Sequence, residues 1–196
     1  MDGMQWMASA MRAARSQLDV ATQNLANVSS DGFRRLATTL DIDARGIRVR
    51  QSPTAEQGAI RRTNRSLDLA ILGPGTFRVG GEATRNGAFV RDRDGFLADD
   101  RGRRLAGRGG PIRFPEGATI MPDGGVQTAA GRLVDRIPLP PGTRLETGAL
   151  ETSNVNAIAE SLNVLEAQRS FETAQKVLLA IDDTRNKAAN DVGRIQ

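Results

Sequence analysis

The sequence predicts an α+β protein in which two long terminal helices pair as a coiled-coil-like core and one small antiparallel β domain lies between them. Two observations predict this class: apolar residues keep an unbroken three-four spacing at both ends, and the middle is rich in glycine and short alternating segments. The predicted boundaries are an N-terminal helix in 1–33, an extended basic connector in 34–65, the β domain in 66–148 and a C-terminal helix in 149–196.

The first helix is predicted from about Met4 to Asn27. Because an α-helix turns once per 3.6 residues, a three-four spacing places these apolar residues on one narrow face. A strict stripe of this kind is typical of a coiled-coil seam. The seam consists of Met4, Met7, Met11, Ala14, Leu18, Ala21, Leu25 and Val28.

The last helix carries a matching seam and a second apolar stripe. The main seam is Val164, Ala167, Phe171, Ala174, Leu178, Ile181, Arg185, Ala188, Val192 and Ile195. The second stripe, offset by one from the first, is Val155, Ile158, Leu162 and Leu165. Two stripes on one helix imply more than one neighbour, so we predict assembly through these helices; the alternative is a plain two-helix hairpin with a wide apolar face.

The middle of the chain contains two segments that differ in hydrophobic pattern. Residues 34–65 have little periodicity, apart from a short strand suggested by Ile47 and Val49. From Ser66 to Gly148, turn signals such as Asn86-Gly87 separate short alternating segments such as Leu67-Asp68-Leu69-Ala70-Ile71. Many short strands at regular turn spacing indicate a small antiparallel β domain.

The amino-acid composition lacks several of the side chains that enzymes most often use for catalysis. The chain has no Cys, no His and no Tyr, which excludes thiolate metal sites and the commonest general base. Asp92-x-Asp94-Gly95 lacks the further oxygen ligands of a calcium loop, so we interpret it as a hairpin turn. We therefore predict no catalytic, cofactor or metal site, and no enzyme.

The charge and hydropathy of the chain indicate whether it binds nucleic acid or inserts into a membrane. The densest basic stretch, residues 45–65, has no aromatic residue on which bases could stack, so a nucleic-acid-binding module is retained only as an alternative function. No apolar run approaches the roughly 20 residues needed to span a membrane. The start of the chain does not have the pattern of a Sec-type signal peptide. We expect no nucleic-acid partner and no direct membrane insertion.

Two polar segments flank the predicted helices. Asn24, Asn27, Gly32 and Phe33 belong to a block that ends the first helix, since Asn, Asp, Ser and Gly tolerate left-handed backbone and bond their own main chain. Glu151, Ser153 and Asn154 begin the last helix, with Ser153 or Asn154 as its N-cap.

The same segments resemble a known family. Asn24-Leu25-Ala26-Asn27-Val28-Ser29-Ser30-Asp31-Gly32-Phe33-Arg34 resembles the signature that closes the first helix of bacterial flagellar rod and hook proteins. Gly148 to Val155 resembles the motif that opens their last helix, and Arg169-Ser170-Phe171-Glu172 resembles its middle. The motifs occur in the family's order over nearly the whole chain.

The resemblance implies a function. Family members pass unfolded through the flagellar export apparatus without a cleaved signal and polymerise around a central channel, with the terminal helices forming the inner tube. For this chain, the resemblance implies a rod subunit in the flagellar basal body, within the cell envelope. The implied partners are copies of itself and other rod and hook subunits. With one small β domain, this chain resembles rod proteins, and Phe33-Arg34 and Gly110 to Gly117 favour the proximal rod; a distal-rod or short hook-type subunit is the alternative.

The resemblance and the seams together give the predicted site residues. The predicted assembly interface comprises Met4, Met7, Met11, Leu18, Leu25, Val155, Ile158, Leu162, Phe171, Leu178, Ile181 and Val192. The motif residues are Asn24, Asn27, Gly32, Phe33, Glu151, Ser153, Asn154 and Arg169; Arg169 and Phe171 are expected to anchor helix packing.

Overall fold

A computed structural model describes residues 3–43 and 46–193 of the chain, and the side chains as far as residue 187. The chain divides into two compact units. The helical unit comprises Met1–Val28, Arg35–Thr54 and Val155–Gln196, and the β unit comprises Ser29–Arg34 and Ala55–Asn154. The predicted α+β class is confirmed.

The helical unit contains two helices and a β-hairpin. Helix α1 spans Gly3–Ala26, strands β1 and β2 span Leu36–Asp43 and Gly46–Pro53, and helix α2 spans Ala157–Gly193. Helix α1 contacts both α2 and the hairpin. Two of its faces are therefore covered by different partners.

The β1–β2 hairpin lies within the segment predicted as an extended connector. Its strands pair antiparallel over their whole length, from Leu36 opposite Pro53 to Asp43 opposite Gly46. Cross-strand ion pairs join Arg50 to Asp41 at 2.6 Å and Arg48 to Asp43 at 2.5 Å. Leu40, Ile42, Ile47 and Val49 lie on one face of the hairpin, and Asp41, Asp43, Arg48 and Arg50 lie on the other. The sequence prediction used only Ile47 and Val49 as a strand signal, because residues 36–39 of β1 do not alternate.

The β unit contains eleven short strands joined by tight turns. The strands are β3 (Ile60–Arg62), β4 (Leu69–Leu72), β5 (Phe77–Val79), β6 (Glu82–Thr84), β7 (Val90–Arg91), β8 (Leu97–Ala98), β9 (Thr119–Ile120), β10 (Gly125–Gln127), β11 (Leu133–Arg136), β12 (Arg144–Thr147) and β13 (Ala149–Glu151). They form antiparallel pairs β3–β13, β4–β12, β5–β6 and β7–β8 and the sheet β11–β10–β9.

The core of the β unit is apolar and fully enclosed. Phe77 and Phe89 meet edge to face, with ring centroids 5.2 Å apart. Their neighbours in the core include Leu69, Ile71, Val79, Leu97, Leu105, Ile112, Val126, Ile137 and Leu145. Burial of such side chains is worth about 1.5–3 kcal/mol each, which explains why so many short strands hold together.

Three core segments meet in a closed triangle of backbone hydrogen bonds. The N–H of Leu97 donates to the carbonyl of Ile112 at 3.0 Å, that of Ile112 to Leu105 at 2.9 Å, and that of Leu105 to Leu97 at 2.8 Å. All three side chains are fully buried. Each segment therefore has a hydrogen-bonded neighbour on both sides.

The predicted hairpin turn at Asp92–Gly95 is confirmed. It joins β7 to β8, and the Asp92 carboxylate accepts the N–H of Phe96 at 2.8 Å and the Nε–H of Arg104 at 2.9 Å. Arg104 also pairs with Asp94 and lies over the ring of Phe96, 4.2 Å from its centroid. The acids of this loop thus bind protein donors, and no group of acids suited to a metal ion occurs among the described residues.

These contacts predict how acid affects the β unit. The N–H of Phe96, followed by the Arg104 guanidinium, holds the pKa of Asp92 below its ordinary value of 3.8. A carboxylate with a depressed folded-state pKa stabilises the fold above its unfolded-state pKa, and this contribution is lost as pH falls through the folded value. We expect unfolding monitored by far-UV circular dichroism to reveal a loss of stability below about pH 4, smaller in Asp92→Asn, with Asp100→Asn as the control. An identical acid profile in Asp92→Asn would contradict this.

Candidate functional site

Helices α1 and α2 contact each other within the helical unit. The small seam residues Ala14, Ala21, Ala167 and Ala174 are buried, so the helix backbones lie close to each other. The larger seam residues are half-buried along the same faces: Met4, Met7, Met11, Leu18, Leu25, Phe171, Leu178 and Ile181. Arg185 is exposed, with its guanidinium 2.7 Å from the sulfur of Met4. The side chains of Ala188 and Val192, and the whole of Ile195, lie outside the described residues.

The second stripe of α2 points away from α1. Val155, which precedes the helix, is buried, but Ile158, Leu162 and Leu165 are 76%, 58% and 52% exposed. Ile158 is nine residues from Ala167, which at about 100° per residue places it on the opposite side of the helix. We call Ile158, Leu162 and Leu165 the ridge.

A polar cluster holds α1, α2 and the hairpin together at one end of the helical unit. The side-chain amide of Asn24 pairs with both backbone groups of Leu36: its oxygen accepts the N–H at 2.8 Å and its nitrogen donates to the carbonyl at 2.9 Å. Asn24 also donates to the Glu160 carboxylate at 3.3 Å, and Arg35 pairs with Glu160 at 2.5 Å. Since Asn24 and Glu160 are almost fully buried, each of these groups needs the others as partners.

A second polar cluster lies inside the β unit around Glu151. Its carboxylate pairs with Arg85 at 2.7 Å and accepts the N–H of Gly58 at 3.2 Å, and Arg34 lies 3.7 Å away. Arg85 also donates to three carbonyls, those of Ile71, Gly73 and Gly75. Burial, opposed by the charge of Glu151, lowers the pKa of Arg85 below its ordinary value.

The segment Ser29–Arg34 lies against this cluster through Gly32. The N–H of Gly32 donates to the backbone carbonyl of Glu151 at 2.6 Å. Gly32 has φ of +71°, and a Cβ at this position would lie 2.1 Å from the backbone nitrogen of Asn86. Next to it, both carboxylate oxygens of Asp31 accept hydrogen bonds from the same terminal nitrogen of Arg61, Nη2, at 3.0 and 2.9 Å. Only glycine fits this position without displacing backbone.

Comparisons with known proteins match the same two ends of the chain. The family model described as "Flagella basal body rod protein" matches residues 4–34. The model described as "Flagellar basal body rod FlgEFG protein C-terminal" matches residues 146–191. Flagellar basal-body rod protein FlgF of Escherichia coli (strain K12) is 30% identical over 92% of this chain and 95% of its own length.

This chain belongs to the flagellar basal-body rod protein family. It is also similar to FlgF of Caulobacter vibrioides, 26% identical over 92% of this chain and 94% of the relative. Flagellar basal-body rod protein FlgG of Bacillus subtilis (strain 168) is 27% identical over 93% of this chain and 96% of the relative. The alignment with the Escherichia coli protein runs over 239 positions, more than the 196 residues here, so that relative holds residues without a counterpart in this rod-family chain.

Several motif residues have roles other than those predicted. Helix α2 begins at Ala157, and Asn156 is its N-cap, because its side-chain oxygen accepts the N–H groups of Ile158 and Ala159 at 3.0 and 3.1 Å. The prediction of Ser153 or Asn154 as the cap was therefore wrong. Asn154 instead donates to the carbonyl of Glu56 at 2.9 Å.

The two residues predicted to anchor helix packing, Phe171 and Arg169, have different surroundings in the structure. Phe171 is half-buried and lines a groove with Leu18 and Ala26 of α1, whereas Arg169 is exposed on the side of α2 opposite Ala167. Arg169 therefore does not anchor the α1–α2 contact. Asn27 lies at the end of α1, where it donates to the carbonyl of Gln23 at 2.9 Å, and Phe33 is half-buried.

The basic stretch 45–65 is partly neutralised in the structure. Arg48, Arg50 and Arg61 each pair with an aspartate, and Arg62 lies 3.7 Å from Glu146; Arg45 lies outside the described residues. Carboxylates beside these cations oppose phosphate binding. The stretch thus offers little support for the alternative of a nucleic-acid module.

The cluster around Asn24 gives a testable prediction for this rod-family chain. Asn24→Asp removes the donor to Leu36 and places a second carboxylate beside Glu160, so we expect a loss of about 1–3 kcal/mol in the unfolding free energy of the helical unit. Urea unfolding followed by fluorescence measures it, because Trp6 is the only tryptophan and lies in α1. The exposed neighbour change Gln23→Glu is the control; equal stability of the two variants would contradict the assigned role.

Proposed function

We propose that this chain is a structural subunit of the bacterial flagellar rod, which polymerises through its terminal helices. The observation that carries the proposal is the coincidence of family matches at 4–34 and 146–191 with helices that pack on each other and leave an apolar ridge exposed. An exposed apolar row on a helix favours a further helical neighbour. In this proposal the α1 and α2 seams form a coiled-coil-like core.

The subunit acts mechanically, without catalysis. Its partners are copies of itself and other rod or hook subunits, and torque passes between them through helix packing. The flagellar export apparatus carries it into the basal body without a cleaved signal peptide, and it works in the rod within the cell envelope. Among the described residues, neither helix is long and apolar enough to cross a bilayer.

Within the rod we propose the proximal position. The motif residues Phe33-Arg34 and Gly110 to Gly117 support this position, and a distal-rod or short hook-type subunit is the alternative. The proposed domain organisation is that of the sequence: a first core helix in 1–33, a connector in 34–65, a β domain in 66–148 and a second core helix in 149–196. The proposed interface residues are those predicted from the sequence: Met4, Met7, Met11, Leu18, Leu25, Val155, Ile158, Leu162, Phe171, Leu178, Ile181 and Val192.

Deletion of the gene tests this function. We expect non-motile cells whose basal bodies, viewed by electron microscopy, lack a complete rod, and restoration by the wild-type gene. Complementation by Ala174→Glu should fail, because Ala174 is buried in the seam, whereas Gln175→Glu, exposed one residue later, should restore motility. A deletion strain that builds complete rods and swims would overturn the proposal.

A further inference from the structure

The loop between β6 and β7 contains Asn86-Gly87, the only Asn-Gly pair of the chain. The side-chain amide of an asparagine can be attacked by the backbone nitrogen of the next residue, because the attack closes a five-membered ring. Glycine hinders that nitrogen least, since it has no Cβ. The pair can therefore react within the chain itself, and the surroundings of the two residues decide whether the folded state permits the reaction.

The fold holds the side chain of Asn86 against the backbone that follows it. Its oxygen Oδ1 accepts the N–H of Ala88 at 3.0 Å, and this hydrogen bond closes a small ring around the nitrogen of Gly87. The carbon Cγ of Asn86 is thereby kept beside that nitrogen. The same bond places a donor on the oxygen where negative charge develops when Cγ is attacked.

The attacking nitrogen and the leaving group are both available. Among the described residues, no protein group accepts the N–H of Gly87, although its carbonyl accepts the N–H of Leu69 at 3.0 Å. An amide nitrogen must lose its proton in order to attack, so a hydrogen bond from this N–H would oppose the reaction. Asn86 is exposed, so water reaches its side chain and ammonia can leave.

Three Asp-Gly pairs, which could close the same ring, have the opposite arrangement. They are Asp31-Gly32, Asp94-Gly95 and Asp123-Gly124, whose glycine N–H groups donate to the carbonyls of Glu151, Asp92 and Met121 at 2.6, 3.1 and 2.9 Å. In each of these pairs, the reaction must first break a backbone hydrogen bond. Of the four described pairs, Asn86-Gly87 alone presents a nitrogen that is ready to attack.

Close packing requires the glycine of the reactive pair. A Cβ on Gly87 would lie 1.8 Å from the backbone oxygen of Leu69, so a larger residue would displace strand β4. The unhindered nitrogen is therefore a consequence of how the loop packs on β4.

We propose that Asn86 is a self-modification site, at which the folded chain converts its asparagine into aspartate and isoaspartate. The nitrogen of Gly87 forms a bond to Cγ of Asn86 while its proton passes to solvent. The bond from Cγ to Nδ2 then breaks, and Nδ2 takes up a proton and leaves as ammonia. Water, the one co-reactant, opens the resulting cyclic imide: hydrolysis at Cγ gives aspartate, and hydrolysis at the backbone carbonyl gives isoaspartate. The proposal does not depend on the rod function.

The two products differ in their effect on the β unit. Aspartate keeps the length of the main chain, whereas isoaspartate directs the main chain through Cβ and inserts one extra bond. The insertion lies between two tight contacts. On one side, the nitrogen of Asn86 would be only 2.1 Å from a Cβ added to Gly32; on the other, Leu69 donates to the carbonyl of Gly87. Isoaspartate must therefore loosen one of these contacts.

Peptide mapping tests the reaction. The folded full-length chain and a sample unfolded in urea are incubated at neutral pH in water enriched in heavy oxygen, which marks every product formed by hydrolysis. Digestion after glutamate residues in ordinary water then keeps Asn86 inside a peptide that begins at Ala83. Chromatography separates aspartyl from isoaspartyl peptides, and mass spectrometry locates the incorporated oxygen.

The ratio of the rate in the folded chain to the rate in urea is the decisive quantity, because each site then serves as its own control. We expect this ratio to be roughly fivefold higher for Asn86 than for the three Asp-Gly pairs, since those pairs must first break a hydrogen bond. A ratio for Asn86 no higher than theirs would overturn the proposal, as would a folded chain whose Asn86 stays unmodified while the unfolded chain reacts.

Amide exchange tests the effect of isoaspartate. The isoaspartyl form is isolated from an aged wild-type sample, and freshly prepared Asn86→Asp is the matched control, since it has the same composition and an unextended main chain. We expect the N–H groups of Gly32 and Leu69 to exchange faster in the isoaspartyl form than in the control. Equal protection in the two forms would overturn the proposed loosening.

Discussion

Replacing Glu151 by Gln is expected to destabilise the β unit by about 3–5 kcal/mol, because it leaves the buried guanidinium of Arg85 without its counter-charge. Both side chains are almost fully excluded from water, and they meet at 2.7 Å. The change keeps the size of the side chain. The loss of stability therefore measures the loss of the charge and its hydrogen bonds, because the substitution creates no cavity.

The measurement must follow the β unit itself. Trp6 lies in α1, so urea unfolding is best followed by far-UV circular dichroism and by amide exchange in β4, β12 and β13. Glu116→Gln, an exposed carboxylate in the same unit, is the matched control. Unfolding of Glu151→Gln at the wild-type urea midpoint would contradict the prediction.

A double variant separates charge from structure. In Arg85→Met/Glu151→Leu neither partner is left as a buried unpaired charge, so we expect stability above that of Glu151→Gln. Recovery should be incomplete, because the carbonyls of Ile71, Gly73 and Gly75 lose the donors that Arg85 provides. A double variant less stable than Glu151→Gln would show that the carbonyl contacts outweigh the ion pair.

Replacing Gly32 by Ala is expected to cost about 2–5 kcal/mol, the second large effect. Left-handed backbone costs an L-residue roughly 1–2 kcal/mol. Forcing a methyl group into packed backbone adds roughly 1–3 kcal/mol. The added Cβ would meet the backbone of Asn86 at 2.1 Å, so the turn segment Ser29–Arg34 must move.

Two further glycine variants divide this cost into its parts. Gly102 has φ of +76° with nothing near its added Cβ, so Gly102→Ala should report the backbone term alone. Gly58 lacks a positive φ, but its Cβ would lie 1.8 Å from the carbonyl oxygen of Thr152, so Gly58→Ala should report the clash. Urea unfolding by circular dichroism, with exchange of the Gly32 N–H, measures all three. A Gly32→Ala variant no less stable than Gly102→Ala would contradict the steric argument.

The sequence was sufficient for features that depend on local spacing. The helices and their seams were predictable because Ala14, Ala21, Ala167 and Ala174 repeat with the helix period. The start of α2 was misplaced because Ser153, Asn154 and Asn156 are all good N-caps, and only contacts with other segments select among them. Asn154 is occupied by Glu56, which leaves Asn156 for the helix.

The polar clusters could not be predicted from spacing. Glu160 meets Asn24 from 136 residues away, and Arg85 meets Glu151 from 66 residues away. No periodicity links such pairs, and an isolated Glu or Arg in a helix or loop is usually exposed. The hairpin β1–β2 was missed for a related reason: its pairing joins two strands across a turn, and the alternation of apolar and charged residues is confined to residues 40–43 and 47–50.

The closed triangle of Leu97, Leu105 and Ile112 bears on how the β unit responds to force. In a ladder with a free edge, strands peel away one after another, and each rupture needs little force. Here each segment is hydrogen-bonded on both sides, so a member of the triangle leaves only after two of the three bonds are broken. Under an applied load, separation of any one of these segments therefore requires the loss of two buried backbone hydrogen bonds.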